Sequence, residues 1–266
     1  MGDRKTKRTK IDIFLKLSAM LLKGNDKLTT EIFCQVIKQT TENPNTESNE
    51  LGWQLLLLCV NFAVPTEDLR PYLLTHCIKN MGTSEAIGRY AVKTMQMCIR
   101  AFRLPPRTEK VTKVEVMCAQ AMEQVGIRVY FVDGKYTVIN VDSLTTIGEL
   151  ECKLAQMLGI KDARAFALFE VSEDTMVQKS SERDRDTEEG IGPKADTEER
   201  VLDEGDRIMS IFSMWNRFFW QARNLEGKKI AAKFADKYHF LYKTHYYLDI
   251  EAHDHSAVEI MYIQAR

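Results

Sequence analysis

An excess of either charge is the first thing this sequence lacks: 37 lysines and arginines stand against 38 aspartates and glutamates, for a formal net charge of -1 over 266 residues. No global field draws in nucleic acid, so any electrostatic partner must be met by a local patch. No apolar run approaches the roughly 20 residues needed to cross a bilayer, and the first residues lack the pattern of a secretory signal. Glycine-rich phosphate loops and nucleophile elbows are both missing, which removes the usual sequence contexts of nucleotide chemistry and serine hydrolysis. The six cysteines (Cys34, Cys59, Cys77, Cys98, Cys118, Cys152) are far apart and show no paired spacing that would hold zinc. Reduced thiols, mostly in the core of a cytoplasmic protein without metal or cofactor, are the expectation.

With 44% hydrophobic and 28% charged residues, the chain is long enough for two folded domains. Leu51 to Phe62 is apolar on every side if wound as a helix, and so predicts the buried centre of a helical bundle. Amphipathic segments flank it: Ile11 to Leu22, Glu31 to Thr40 with Thr30 as N-cap, Leu69 to Lys79 with Pro71 near its start, and Glu85 to Phe102 capped by Ser84. Ser48 is the expected cap of the central helix. Thr112 and Glu115 form a capping box that opens a last helix running to about Val125. On the Glu85 to Phe102 helix, Arg89, Lys93, Arg100 and Arg103 fall within a stripe roughly 80° wide, opposite the core positions. Such a stripe is either a solvated face or a docking surface for an acidic polymer or tail, with Lys38 and Lys79 on other helices as weaker candidates.

After Val125 the periodicity switches from helical to alternating. Ile127, Val129 and Phe131 point one way, Asp133-Gly134 is a two-residue hairpin signal, and Tyr136 to Val141 returns. A second capping box, Thr146 with Glu149, starts a helix that stops at Gly159. Ala165 to Val171 and the aromatic-rich Tyr238 to Leu248 supply further strands, which together describe a β-grasp, the ubiquitin-like fold. Residues 172–200 carry ten acids and five bases with little apolar content, and predict a mobile acidic insertion that could mask the basic stripe or serve as a plain surface loop. Arg207 to Trp220 has a helical pattern, and Ser256 with Glu259 forms a third capping box opening a final helix. The expected fold class is α+β, multidomain: an all-α bundle (1–125), a ubiquitin-like lobe (126–250) and the first helix of another helical lobe (251–266).

Certain runs carry a family resemblance. Glu31-Ile-Phe-Cys-Gln-Val-Ile-Lys-Gln-Thr-Thr-Glu-Asn-Pro44, Gly52-Trp53-Gln-Leu-Leu56, Val64-Pro65-Thr66 and Leu69-Arg-Pro-Tyr-Leu73 resemble the myosin tail homology 4 (MyTH4) domain. The stretch from Gly126 is similar to the first lobe of a FERM domain, and Tyr262-Ile-Gln-Ala265 to the opening helix of the second. Two departures from the family pattern remove charge: Thr29-Thr30 stand where an Arg-Asp pair is common, and Leu51 where an arginine usually precedes Gly-Trp. Met1-Gly-Asp-Arg4 resembles an internal loop of the tail domain, so the resemblance implies a piece truncated at both ends, with its basic first ten residues a loop.

The resemblance implies a non-catalytic module that binds cytoskeleton and cargo in the tail of an unconventional myosin, or alternatively of a kinesin or a motorless adaptor. Its expected partners are microtubules or another cytoskeletal polymer such as actin, and the cytoplasmic tails of cargo or membrane proteins. Nucleic acid is not expected, nor a transmembrane segment. A small-GTPase-binding β-grasp is a further alternative, decided by whether Arg128 and Lys135 line the exposed edge of the first hairpin. His253-Asp254-His255 admits a metal reading, although residues at such a turn commonly serve as caps.

Overall fold

The computed structural model describes residues 7–173, 197–215, 238–246 and 253–265, and these form two compact units. Of these residues, the first comprises 7–125 together with 140–145 and 207–213, and the second 126–139, 146–173, 197–206, 214–215, 238–246 and 253–265.

The first unit is a helical bundle: α1 (Lys10–Leu21), α2 (Asp26–Thr40), α3 (Thr46–Phe62), α4 (Arg70–Asn80), α5 (Glu85–Ala101) and α6 (Lys113–Ala121). Its centre is α3, where Trp53, Leu56, Leu57, Cys59, Val60 and Phe62 are all buried, as an all-round apolar helix requires. Around it pack α1, α2, α5 and α6. Trp53 stacks flat on His76 of α4, with ring centroids 4.9 Å apart, and His76 Nε2 lies 2.8 Å from Thr40 Oγ1. Three helices are thereby keyed together around one indole. Burial, with Lys79 nearby, pushes the His76 ring below its ordinary value, which favours the neutral imidazole in this setting.

The second unit holds a five-stranded mixed sheet in the order β2-β1-β5-β3-β4. The strands are β1 (Val125–Phe131), β2 (Tyr136–Val141), β3 (Phe166–Glu173), β4 (Thr197–Val201) and β5 (Tyr238–Thr244), with α7 (Ile147–Leu158) between β2 and β3 and α8 (His255–Ala265) last. Gly134, at φ +78°, makes the hairpin turn between β1 and β2, while β5 runs parallel to β1 and antiparallel to β3. One face is sealed by Ile147, Leu150 and Leu154 of α7 together with Val129, Leu168, Phe240 and Tyr242. Helical bundle followed by mixed sheet is the α+β class expected.

The capping boxes at Thr112 and Thr146 form with both reciprocal bonds, and Gly159 ends α7 in the left-handed region. Three other caps differ from expectation. Asn45, not Ser48, caps α3, and Asn25, not Thr30, caps α2; in each case the helix begins with a polar turn ahead of the apolar stripe. The hydroxyl of Thr30 instead lies 3.1 Å from that of Thr66. Ser256 sits inside α8, while Asp254 accepts from Ala257 N at 3.2 Å and also from Lys161 N at 2.8 Å. Helix α6 stops at Ala121, because Met122 takes a left-handed conformation. The expected insertion at 172–200 is shorter than drawn, since its ends belong to strands: β3 continues to Glu173, and Thr197–Val201 pairs antiparallel with it as β4. Residues 174–196 lie outside the described residues. So do 216–220 of the helix expected from Arg207 to Trp220, whose residues 208–215 are helical, and the end of the strand expected to reach Leu248, which closes at Thr244.

Candidate functional site

Helix α5 carries the basic residues because its other face is consumed by the core. Ile87, Ala91, Thr94, Met97, Cys98 and Ala101 are buried, leaving Arg89, Lys93 and Arg100 on the remaining arc. Arg89 is exposed and Lys93 half-buried. Both line an open groove of about 610 Å³, whose apolar walls come from Met81, Val92 and Met122. Among the described residues neither cation makes an ion pair.

Arg100 is differently placed. Its guanidinium donates to Asp142 Oδ2 at 2.6 Å, and the Asp142 side chain is only 13% exposed. Burial pushes the Asp142 carboxyl up, but Arg100 and hydrogen bonds from Leu144 N and Thr145 Oγ1 outweigh it and leave the group below its ordinary value. Arg103 is exposed beyond the end of α5, Lys79 lies exposed in the last turn of α4, and Lys38 in the last turn of α2. The structure thus brings Arg89 and Lys93 to one groove and commits Arg100 to a carboxylate of its own unit.

A second charged cluster in the same unit was not singled out from sequence. Arg107 donates to both carboxylate oxygens of Glu115, at 2.5 and 3.1 Å, and to the carbonyls of Glu109 and Lys110. Arg207 donates to the carbonyl of Pro105 at 2.9 Å, and burial, with Arg107 adding to it and Glu115 opposing, lowers it to about 10. Each of these donors meets an oxygen, and both arginines are nearly inaccessible. This cluster fixes the chain between α5 and α6 and offers a partner nothing to touch.

In the sheet unit, Arg128 is exposed with its guanidinium 5.3 Å from the Tyr136 ring centre, and Lys135 is paired with Asp133 at 2.9 Å. Arg128 thus lies on the exposed face of an inner strand and Lys135 in the hairpin turn, and neither stands on the edge strand β2. Asp254 is spent on backbone amides, and among the described residues no group of three His, Cys, Asp or Glu side chains could hold a metal. All six cysteines are free, with burial raising Cys59 and Cys77 to about 12. Among the described residues no helix is long and apolar enough to cross a membrane.

Comparison with known proteins finds two domain matches in succession. The MyTH4 domain matches residues 19–118, and an RA like domain matches 123–186. Human unconventional myosin-XVB is 30% identical over 179 residues, covering 65% of this chain and 6% of that protein. The rice kinesin-like protein KIN-14I is 28% identical over 186 residues, covering 69% of this chain and 15% of that protein. In fold, a mutant of the MyTH4-FERM MF1 domain of Dictyostelium discoideum myosin VII superposes with a TM-score of 0.73 at 18% identity, over 96% of this chain and 46% of that one. The chain spans a small part of the relatives' length and about half of the solved tandem. It carries a MyTH4 domain followed by an RA-like domain, its structural neighbours are MyTH4-FERM tandems of myosin VII, and its relatives are unconventional myosins and plant kinesins.

Proposed function

We propose that this chain is the part of an unconventional-myosin tail that engages cytoskeletal polymer and cargo, with residues 1–125 as the MyTH4 portion, 126–250 as the first FERM lobe and 251–266 opening the second. A kinesin tail of the same tandem is the alternative parent. The observation that supports polymer binding is the pair Arg89 and Lys93, without an ion pair among the described residues, on one rigid helix and joined by exposed Arg103 just beyond it. Like charges fixed on one element act together on an acidic, flexible polymer tail, and their attraction weakens as salt screens it. Lys38 and Lys79 add to the same field from other helices. Cargo tails would be taken by the remaining surface of the module.

Co-sedimentation of the purified chain with microtubules across a salt series, beside an equal amount of actin, tests this reading. Saturable binding to microtubules that falls with salt and with Arg89→Glu and Lys93→Glu supports it; a folded chain that stays in the supernatant defeats it. A small-GTPase partner is the second reading, favoured by Arg128 standing exposed over Tyr136 on the β1–β2 hairpin. Nucleotide-dependent capture of a GTPase by the chain, lost with Arg128→Glu, would favour that reading over the first.

A further inference from the structure

The groove beside the basic residues has properties that charge alone does not require. Its walls include Met81 at the end of α4, Val92 on α5 and Met122 just after α6, so three segments of the helical unit converge on it. Val92 is 38% exposed despite lying one turn from the buried core positions of the same helix. Gly88 forms the inner end: a Cβ there would stand 2.4 Å from the Met81 carbonyl oxygen, so glycine is what lets α5 approach the end of α4 and shape the cleft. The rim carries Arg89 and Lys93 against the single carboxylate of Glu85, and none of the three makes an ion pair among the described residues. The groove also starts at the N-terminal turn of α5, where free amides and the helix dipole favour negative groups.

We propose that this groove takes an acidic peptide segment of a partner protein that bears one large apolar side chain. The inference rests on the reading above that Arg89 and Lys93 receive acidic groups, and it adds a second recognition element. Carboxylates of the segment meet Arg89 and Lys93, while the apolar side chain is buried between Val92 and Met122. The excess of positive charge selects an acidic occupant, and the thioethers of Met81 and Met122 adapt to aromatic or aliphatic shapes alike. The two elements respond differently to salt. Screening weakens the charged contacts, whereas burial of the apolar side chain is independent of ionic strength in this range.

The test uses the full chain and two labelled synthetic peptides of equal charge, one of glutamates and serines with a central phenylalanine, the other with serine in its place. Fluorescence anisotropy is measured at low and at moderate salt. The phenylalanine peptide is expected to bind about tenfold more tightly, the size expected for burying most of one aromatic side chain, and to keep that ratio as salt weakens both. Val92→Thr with Met122→Asn, at partly exposed positions and with asparagine tolerant of a left-handed backbone, should abolish the ratio while leaving the serine peptide's affinity unchanged. Equal binding of the two peptides, or a ratio that survives the double substitution, overturns the apolar element alone. Failure of both peptides to bind overturns the inference together with the reading of Arg89 and Lys93 on which it rests.

Discussion

Arg107 holds Glu115 through two hydrogen bonds, Nη1 to Oε1 at 2.5 Å and Nη2 to Oε2 at 3.1 Å, with the two side chains 0% and 1% exposed. The same carboxylate accepts from Thr112 N at 2.8 Å, so the capping box of α6 and the buried ion pair share one group. Removing one member leaves the other charged, buried and unpaired, which is far costlier than losing an exposed pair. Glu115→Ala is therefore expected to destabilise the helical unit by about 3–5 kcal/mol, measured by urea denaturation. Thr112→Ala, which removes only the cap, should cost about 1 kcal/mol.

Arg89 and Arg100 share a helix face and should respond unequally to charge reversal. Arg89 is exposed without an ion pair among the described residues, so Arg89→Glu should change stability by no more than about 0.5 kcal/mol while weakening any acidic partner. Arg100 is bound to Asp142 at 2.6 Å, and Arg100→Glu sets two carboxylates together at a poorly exposed site, costing about 1–3 kcal/mol. Thermal unfolding of the two variants side by side checks this. Equal transition temperatures would show that the Arg100–Asp142 pair contributes nothing to the fold.

The contrast between these two arginines also marks how far local sequence carried the structure. Capping boxes at Thr112 and Thr146 were legible because both partners lie within one turn of helix, and Asp133-Gly134 because the turn needs its glycine at positive φ. Ser48 and Thr30 were misread as caps because they stand nearest the apolar stripes, whereas Asn45 and Asn25 begin the helices a turn earlier. Strand β4 was hidden in an acidic stretch: Thr-Glu-Glu-Arg-Val has no apolar alternation, and it is held by β3 through its backbone and by Arg200 reaching Glu170 at 2.6 Å. At the candidate site, the stripe on α5 followed from periodicity alone. That Asp142, 42 residues away, claims Arg100 could not be read locally.

Gly88 is a close-packing point of the helical unit. Gly88→Ala would gain helix propensity of about 1 kcal/mol, but its Cβ would stand 2.4 Å from a backbone oxygen of Met81, which cannot rotate away. The overlap is expected to win, with a net loss of about 1–3 kcal/mol. Gly82→Ala is the control, since a Cβ there meets nothing within 4 Å. Urea midpoints for the two variants should separate clearly, and coincident midpoints would contradict the close approach of α5 to Met81.

Cysteine accessibility separates surface from core in one experiment. Cys34 and Cys152 are exposed, Cys118 is intermediate, and Cys59, Cys77 and Cys98 are buried with burial pushing each thiol up. Because the thiolate is the reactive form, an aromatic disulfide reagent at neutral pH should titrate two thiols quickly and a third slowly. The remaining three should react only on unfolding. Fast reaction of Cys59 would mean that the centre of α3 opens readily.

Glu151 makes the sheet unit sensitive to pH. Its carboxylate accepts from Leu168 N at 2.7 Å, yet burial raises it to about 7, with the Leu168 amide opposing and Glu204 adding to the rise. A carboxyl raised in the folded state binds more protons folded than unfolded between its ordinary value near 4.5 and about 7. Stability must therefore fall as pH rises through that window and level off above it, a loss of about 3 kcal/mol. Glu151→Gln keeps an oxygen for the Leu168 amide and has no proton to lose. Hydrogen exchange on β3 should become faster from about pH 5 to pH 8 in the native chain, after correction for intrinsic rates, and stay level in the variant. A parallel rise in both would trace the effect to another group.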